Sequence, residues 1–155
     1  KRENDNVITY YLSLKKRDIS KYPNKFNFSI NLEDSFSDVY MVEITRLYFN
    51  YKNIDSNGPD FLVLNIEELN NKYSNNDTLN KGFIEIPINN FEPIIFDTNN
   101  TYAIRYFNPP LVKLNKFRIQ INNSEGKQLN DNMGEDYLIV FNIKQLSKSS
   151  VIKPN

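Results

Sequence analysis

Apolar and polar residues alternate along several short segments of this chain. In the clearest segment, polar residues separate Phe117, Ile119 and Ile121, which gives the period of two typical of a strand with one buried side and one solvent-facing side. The same alternation begins at Phe26 and ends at Leu32. We therefore expect a β-strand at both places.

Further strands are predicted wherever apolar, aromatic and β-branched residues are concentrated between turn signals. These segments are residues 7–14, 39–50, 61–67, 84–88, 93–97, 101–107 and 137–143. In residues 39–50 the apolar positions change side midway, so a bulge is expected near Thr45. The start of residues 137–143 is apolar on both sides, which is typical of a strand covered on both faces. The only helical signal is a short turn near residues 67–71.

Proline, glycine and asparagine mark the ends of these strands. Two prolines follow Asn108, and because proline lacks an amide donor we expect residues 108–110 to end one strand and to direct the next. Residues 122–126 favour a chain reversal, and residues 98–100 resemble a hairpin connection. Pro87 indicates an edge strand or a strand end. Residues 33–38 are expected to form an acidic loop.

The eight or nine short strands predict an all-β domain, built either as two packed antiparallel sheets or as a barrel. A chain of 155 residues is long enough to bury one substantial core. We expect a single domain over residues 1–155, with residues 1–6 and 147–155 as flexible or extended arms. Eleven phenylalanines and ten tyrosines beside a single alanine also favour strands over helices.

The composition excludes several classes of function. The chain has no cysteine and no histidine, so it lacks disulfides, the usual zinc ligands and the usual general base at neutral pH. Its 19 basic and 19 acidic residues cancel, so no overall field attracts nucleic acid or an anionic membrane. No apolar segment is long enough for a membrane-spanning helix. We expect no nucleic-acid partner and no membrane span.

Some residues could carry chemistry, but a structural interpretation is favoured for each group. Two acids a few ångströms apart could act as a glycosidase pair, yet the acids present are typical of turns and outward strand positions. They are Glu85, Glu92, Asp97, Glu135 and Asp136. Asp34 and Asp38 could bind calcium, but the spacing lacks the ligands of a dedicated calcium loop. Lys15, Lys16 and Arg17 could bind phosphate, although a solvated loop is favoured.

The tyrosines could instead form a platform on which sugars or bases stack. The candidates are Tyr10, Tyr11, Tyr40, Tyr48, Tyr51, Tyr102 and Tyr106. The favoured interpretation is that most of them fill the core or an interface. We therefore assign no catalytic, cofactor-binding or metal-binding residue, and we expect no cofactor and no enzymatic activity.

The order of several short motifs resembles the single jelly-roll minor capsid and penton proteins of large icosahedral DNA viruses, the nucleocytoplasmic large DNA viruses. The resemblance spans roughly residues 7–146. Its motifs are Ser13-Leu14-Lys15-Lys16-Arg17-Asp18, Tyr22-Pro23-Asn24, the alternating segment Phe26 to Ile30, Asn108-Pro109-Pro110-Leu111, Phe117-Arg118-Ile119, Glu125-Gly126 and Gly134-Glu135-Asp136. This family implies an eight-stranded antiparallel jelly roll.

The resemblance also implies a structural virion protein of a giant virus. We expect a penton subunit that forms a homopentamer at the vertices of an icosahedral capsid, assembled in the cytoplasm of the infected host cell. Its partners would be further copies of itself, the major capsid protein and other minor capsid proteins. The contact faces we consider are the strand edges near Pro87 and the loops of residues 53–60 and 70–81. Alternatives are another minor capsid or cement protein of the same fold, a carbohydrate-binding attachment module and, more remotely, a glycosidase.

Overall fold

The computed structural model describes residues 6–13, 20, 24, 26–49, 61–70, 82–87, 94–97, 103–127 and 137–146. Within these residues the chain forms strands and turns but no helix. The strands are β1 (Asn6–Ser13), β2 (Asn27–Phe36), β3 (Val39–Phe49), β4 (Phe61–Ile66), β5 (Ile84–Pro87), β6 (Ile94–Asp97), β7 (Ile104–Leu111), β8 (Leu114–Asn123) and β9 (Leu138–Gln145).

The strands form two antiparallel sheets. The first sheet has the order β1-β9-β3-β6, and β7 also pairs with β3; the second sheet has the order β2-β8-β4-β5. The chain crosses from one sheet to the other between β1 and β2, β2 and β3, β3 and β4, β5 and β6, β7 and β8, and β8 and β9. The fold is an antiparallel jelly roll, as predicted.

Strands β6 and β7 share one of the eight strand positions of this jelly roll. β6 pairs with residues 46–49 of β3, whereas β7 pairs with residues 39–43 of the same strand. The two strands therefore follow one another along a single edge of β3 and are not paired with each other as a hairpin. Residues 98–100, where we expected the hairpin connection, lie outside the described residues.

The core lies between the two sheets and contains the inward side chains of both. Phe117 of β8 and Phe141 of β9 stack across the sheets with their ring centroids 4.7 Å apart, and both are fully buried. Phe26 and Tyr137 form a second stacked pair at 6.3 Å. The alternating segments predicted at Phe117–Ile121 and Phe26–Leu32 are confirmed, because their apolar residues face this core.

The bulge predicted near Thr45 is confirmed. Ile44 is opposite Phe141 and Arg46 is opposite Val140, so Thr45 has no residue opposite it in the register. Its hydroxyl instead donates to the carbonyl oxygen of Val140 at 3.4 Å. The extra residue shifts the alternation by one position, and for this reason Ile44 and Leu47 both reach the core.

The prediction that residues 108–110 end a strand is wrong. β7 continues through both prolines to Leu111, and the Asn108–Pro109 peptide bond is cis. Tyr106 is opposite Met41 and Leu111 is opposite Val39, so four residues of β7 bulge over the single residue between them on β3. The prolines are tolerated because they lie on an edge strand within this irregular stretch, where no amide donor is required.

The acidic loop is shorter than expected, since β2 extends to Phe36 and only two residues connect it to β3. The second of these, Asp38, has a φ of 53°, in the left-handed region. The end of β9 holds this turn in place: the Leu146 amide donates to the Asp38 carbonyl oxygen at 2.9 Å, and the Gln145 side chain donates to the Ser37 carbonyl oxygen at 3.1 Å.

Other local predictions fare well. The turn at residues 122–126 forms, with Gly126 at a φ of 82° and its amide donating to the Asn123 carbonyl oxygen at 3.0 Å. It leads out of the second sheet, because β8 and β9 belong to different sheets. Pro87 ends edge strand β5. The expected N-terminal arm is one residue too long, since Asn6 begins β1 and its side chain donates to the Gln145 side chain at 2.9 Å.

We predict that Phe117→Ala lowers the free energy of unfolding by about 3–5 kcal/mol, because it leaves a cavity between the sheets and removes the stacked contact with Phe141. Urea denaturation of the purified chain measures this loss. Phe117→Leu keeps most of the buried volume and should cost distinctly less. A loss below about 1 kcal/mol for the alanine variant would contradict the described packing.

We predict that Asp38→Val destabilises the chain by about 1–2 kcal/mol, because a β-branched residue is poorly accommodated at positive φ. Asp38→Gly, which has no Cβ, should retain wild-type stability within about 0.5 kcal/mol or exceed it. Thermal melting of the two variants side by side makes the comparison. Equal melting temperatures would show that the left-handed conformation at this turn is not required.

Candidate interaction surface

The outer face of the first sheet is formed by the side chains of β1, β9, β3 and β7 that point away from the core. Residues that are opposite one another in neighbouring strands form rows across the sheet. The first row is Val7, Lys144, Met41 and Tyr106; the second is Thr9, Asn142, Glu43 and Ile104; the third is Tyr11, Val140 and Arg46. Cross-strand neighbours of this kind are close enough to touch.

Apolar side chains occupy much of this outer face. Tyr11 is 65% exposed, Tyr106 64% and Val7 44%, which makes them three of the most exposed large apolar residues in the described chain. Met41 and Val140 lie outside the core cluster but are only 5% exposed. Met41 is opposite Tyr106, and Val140 is opposite Tyr11. The result is an apolar surface on the outside of the molecule.

A chain of polar contacts crosses the middle of the outer face. The Thr9 hydroxyl donates to Asn142 Oδ1 at 3.1 Å, and Asn142 Nδ2 donates to Glu43 Oε1 at 3.5 Å. Lys144 Nζ lies 4.0 Å from the same carboxylate oxygen. Glu43 is largely shielded, with 16% of its side chain exposed, so the partners compensate for the partial loss of its hydration. This network orders three neighbouring strands, and the apolar residues Val7, Met41 and Tyr106 lie on one side of it and Tyr11 and Val140 on the other.

The outer face of the second sheet is different in character, because its cross-strand rows are polar. Arg118 is opposite Ser29, and Gln120 lies between Asn27 and Asn65. An open depression of about 340 Å³ lies on this face, lined by Asn65, Glu67, Asn70, Arg118 and Gln120. The two outer faces of the sandwich thus differ in polarity, and the first sheet presents the more apolar surface.

Hydrogen bonds organise the polar depression internally. Asn70 Oδ1 accepts from the Ile66 amide at 3.1 Å, and Asn70 Nδ2 donates to Asn65 Oδ1 at 2.6 Å. Glu68 accepts from the Arg118 amide at 2.9 Å, while Glu67 pairs with the Arg118 guanidinium at 3.7 Å. The Glu67–Arg118 pair is mostly exposed, so solvent screening leaves it a small contribution to stability. These contacts fasten the turn after β4 to β8.

Of the carboxylates considered as a catalytic pair, the two in the described part of the chain do not share a sheet. Glu85 is exposed on β5 at the edge of the second sheet, whereas Asp97 lies on β6 of the first sheet, opposite Arg46. Glu92, Glu135 and Asp136 lie outside the described residues. The two described acids therefore belong to different sheets.

The candidate tyrosines that the structure describes are not aligned as a stacking row either. Tyr10 packs against the core, and Tyr40 and Tyr48 are half-buried on β3. Tyr11 and Tyr106 do share the outer face of the first sheet, but β9 and β3 lie between their strands. Tyr51 and Tyr102 lie outside the described residues.

The candidate ion sites receive no support from the described residues. Asp34 belongs to β2, and Asp38 forms the turn after it. No group of three or more acidic side chains in the described chain is arranged to hold a metal ion. Lys15, Lys16 and Arg17 lie outside the described residues.

Sequence reasoning did not identify the outer face of the first sheet. It named the edge near Pro87 and the loops of residues 53–60 and 70–81, most of which lie outside the described residues. Two signals were available: the apolar residues on both sides of β9, and the adjacent apolar residues Met41 and Val42, which must face opposite sides of β3. Neither could be interpreted without knowing that β9 lies between β1 and β3.

No model of a known protein family matches the sequence, and no curated protein matches it. Among the described residues, no helix is long and apolar enough to cross a membrane.

We predict that Glu43 and Lys144 are energetically coupled. A double-mutant cycle with Glu43→Gln and Lys144→Met should give a coupling free energy of up to about 1 kcal/mol, which 1 M salt reduces. Urea denaturation at low and high salt measures it. The matched pair Glu67→Gln and Arg118→Met, which is more exposed, should couple more weakly. Stronger coupling in the exposed pair would contradict the shielding described for Glu43.

Proposed function

We propose that the chain is a structural virion protein, namely the penton subunit that forms a homopentamer at the vertices of an icosahedral capsid. The observation that carries the proposal is the jelly-roll strand order, with β1-β9-β3 in one sheet and β2-β8-β4-β5 in the other. Double-sheet jelly rolls recur in viral capsid proteins, and also in lectin domains and cupins. The ordered motifs from Ser13 to Asp136 that resemble the penton and minor capsid family favour the capsid role among these.

The contrast between the two outer faces also supports an assembly role. In a closed ring each subunit presents one surface to its neighbour on one side and a different surface to the neighbour on the other. The more apolar outer face of the first sheet is a candidate for one of these surfaces, whereas the polar outer face of the second sheet suits contact with water. Exposed aromatic residues such as Tyr11 and Tyr106 are the type that contributes most to protein–protein binding.

A subunit of this kind works by burying surface against its neighbours. A stable interface buries about 800 Å² on each partner. Copies of the chain would form the ring, and the major capsid protein and other minor capsid proteins would surround it. Such a role requires no cofactor and no catalytic residue.

We predict that the full chain forms a species containing five copies, or a multiple of five, in native mass spectrometry at micromolar concentration. In particles, a reconstruction should place the chain on the five-fold axes. A strictly monomeric chain that is also absent from the vertices would contradict the proposal. Density between capsomers, away from the five-fold axes, would instead identify a cement protein of the same fold.

We predict that Tyr106→Glu weakens the ring by at least about 30-fold in dissociation constant, because it places a charge in the apolar outer face. Tyr106→Phe keeps the apolar contact and should stay within a few-fold of wild type. Sedimentation velocity over a dilution series measures both variants. A ring that Tyr106→Glu leaves unchanged would exclude this face from the interface.

A further inference from the structure

Three of the four strand positions at the edges of the sandwich carry features that prevent pairing with another chain. β5 contains Glu85 and ends in Pro87, and β7 contains Pro109 and Pro110. β2 has an irregular register between Asn31 and Phe36, within which acidic residues occur. Charges, prolines and irregular register are the usual means by which natural proteins block edge strands.

The fourth edge strand, β1, has none of these features. Its sequence, NVITYYLS, contains no charged residue, no proline and no glycine. Its register with β9 is continuous over eight residue pairs, from Asn6 opposite Gln145 to Ser13 opposite Leu138. Among the strands that the structure describes, β9 alone pairs with β1. A long, regular and uncharged edge of this kind is a template for strand addition.

We infer that β1 pairs with β1 of a second copy of the chain, antiparallel and about a two-fold axis at Thr9, so that one sheet continues through both copies. An antiparallel contact of a strand with itself brings like charges together wherever the strand is charged. β1 carries no charge, so its edge is compatible with its own copy.

The spacing of the outward residues also suits this contact. Val7 and Tyr11 lie two residues on either side of Thr9 and on the same face, so the axis at Thr9 sets Val7 of each copy opposite Tyr11 of the other. Pairs of an aromatic and a β-branched residue are among the favourable cross-strand combinations. The contact would cover Val7 and Tyr11, which are 44% and 65% exposed.

This two-fold contact goes beyond the proposed ring and does not use its five-fold axis. A two-fold contact is isologous, whereas a ring of five requires a heterologous interface. If both exist, two rings are joined through their β1 strands; if the ring does not form, the β1 contact alone gives a dimer. In either case the β1 contact doubles the mass of the assembly. Loss of the β1 contact and loss of the ring therefore change the mass differently, and the two proposals can be tested separately.

A cysteine at position 9 tests the inference directly. The chain contains no cysteine, so any disulfide in Thr9→Cys must join two copies. Residues directly opposite in an antiparallel pair have Cα atoms about 4.5–5.5 Å apart, within the range that a disulfide spans. We expect Thr9→Cys to become disulfide-linked on mild oxidation, as seen by non-reducing electrophoresis. The control, Val112→Cys, replaces a residue that is 82% exposed in the turn before β8 and should remain largely unlinked.

A charge at the same position provides the second test. Thr9→Lys sets two ammonium groups opposite each other across the two-fold axis. It should halve the mass of the assembly, measured by sedimentation velocity on the full chain. The control, Val112→Lys, adds the same charge elsewhere and should leave the mass unchanged. Circular dichroism and thermal melting verify that both variants fold. Equal disulfide yields for the two cysteine variants, or an unchanged mass in a folded Thr9→Lys variant, would overturn the inference. If Thr9→Lys reduces the assembly from ten copies to five, the proposed ring is retained. If it reduces the assembly from two copies to one, the result argues against the ring.

Discussion

The whole structure depends on the packing of two apolar sheet faces against each other. Each strand must direct its apolar side chains inward, and a shift of one residue would send them to the solvent, so the core determines the register of every ladder. The stacked rings of Phe117 and Phe141 show the constraint most directly, because one belongs to each sheet. In β3 the apolar residues do not alternate regularly, and the bulge at Thr45 allows both Ile44 and Leu47 to face the core.

Once the inner faces are packed together, the outer faces of the two sheets are free to differ in polarity. The second sheet is covered by amides, hydroxyls and charges, as expected of a surface in contact with water. The first sheet has apolar residues on either side of a polar network that includes the shielded carboxylate of Glu43. The exposed side chains of Tyr11 and Tyr106 are not needed for packing within one chain. Exposed apolar residues of this kind often mark a surface that contacts another molecule.

Local patterns predicted the strands that alternate cleanly, because burial of one side leaves a direct record in the sequence. The segment from Phe117 to Ile121 is the best example, and the change of side in β3 even located the bulge. The strand end predicted at the prolines of β7 was wrong. A strand can contain prolines when it lies at the edge of a sheet, and the edge position of β7 is known only from the tertiary structure. The outer face of the first sheet escaped prediction for a related reason: Thr9 and Asn142 are 133 positions apart, and no local pattern indicates that their strands are neighbours.

The order of the strands in each sheet has a consequence for how this chain is made. β9 lies between β1 and β3, and β8 lies between β2 and β4, so one interior strand of each sheet is synthesised after all the other described strands of that sheet. The hydrogen bond between the side chains of Asn6 and Gln145, for example, joins residues 139 positions apart. Contacts so distant in sequence form slowly, and neither sheet can close before its last strand has been synthesised. Until then the nascent chain has apolar strands without neighbours, a state in which association with chaperones or with other nascent copies competes with folding.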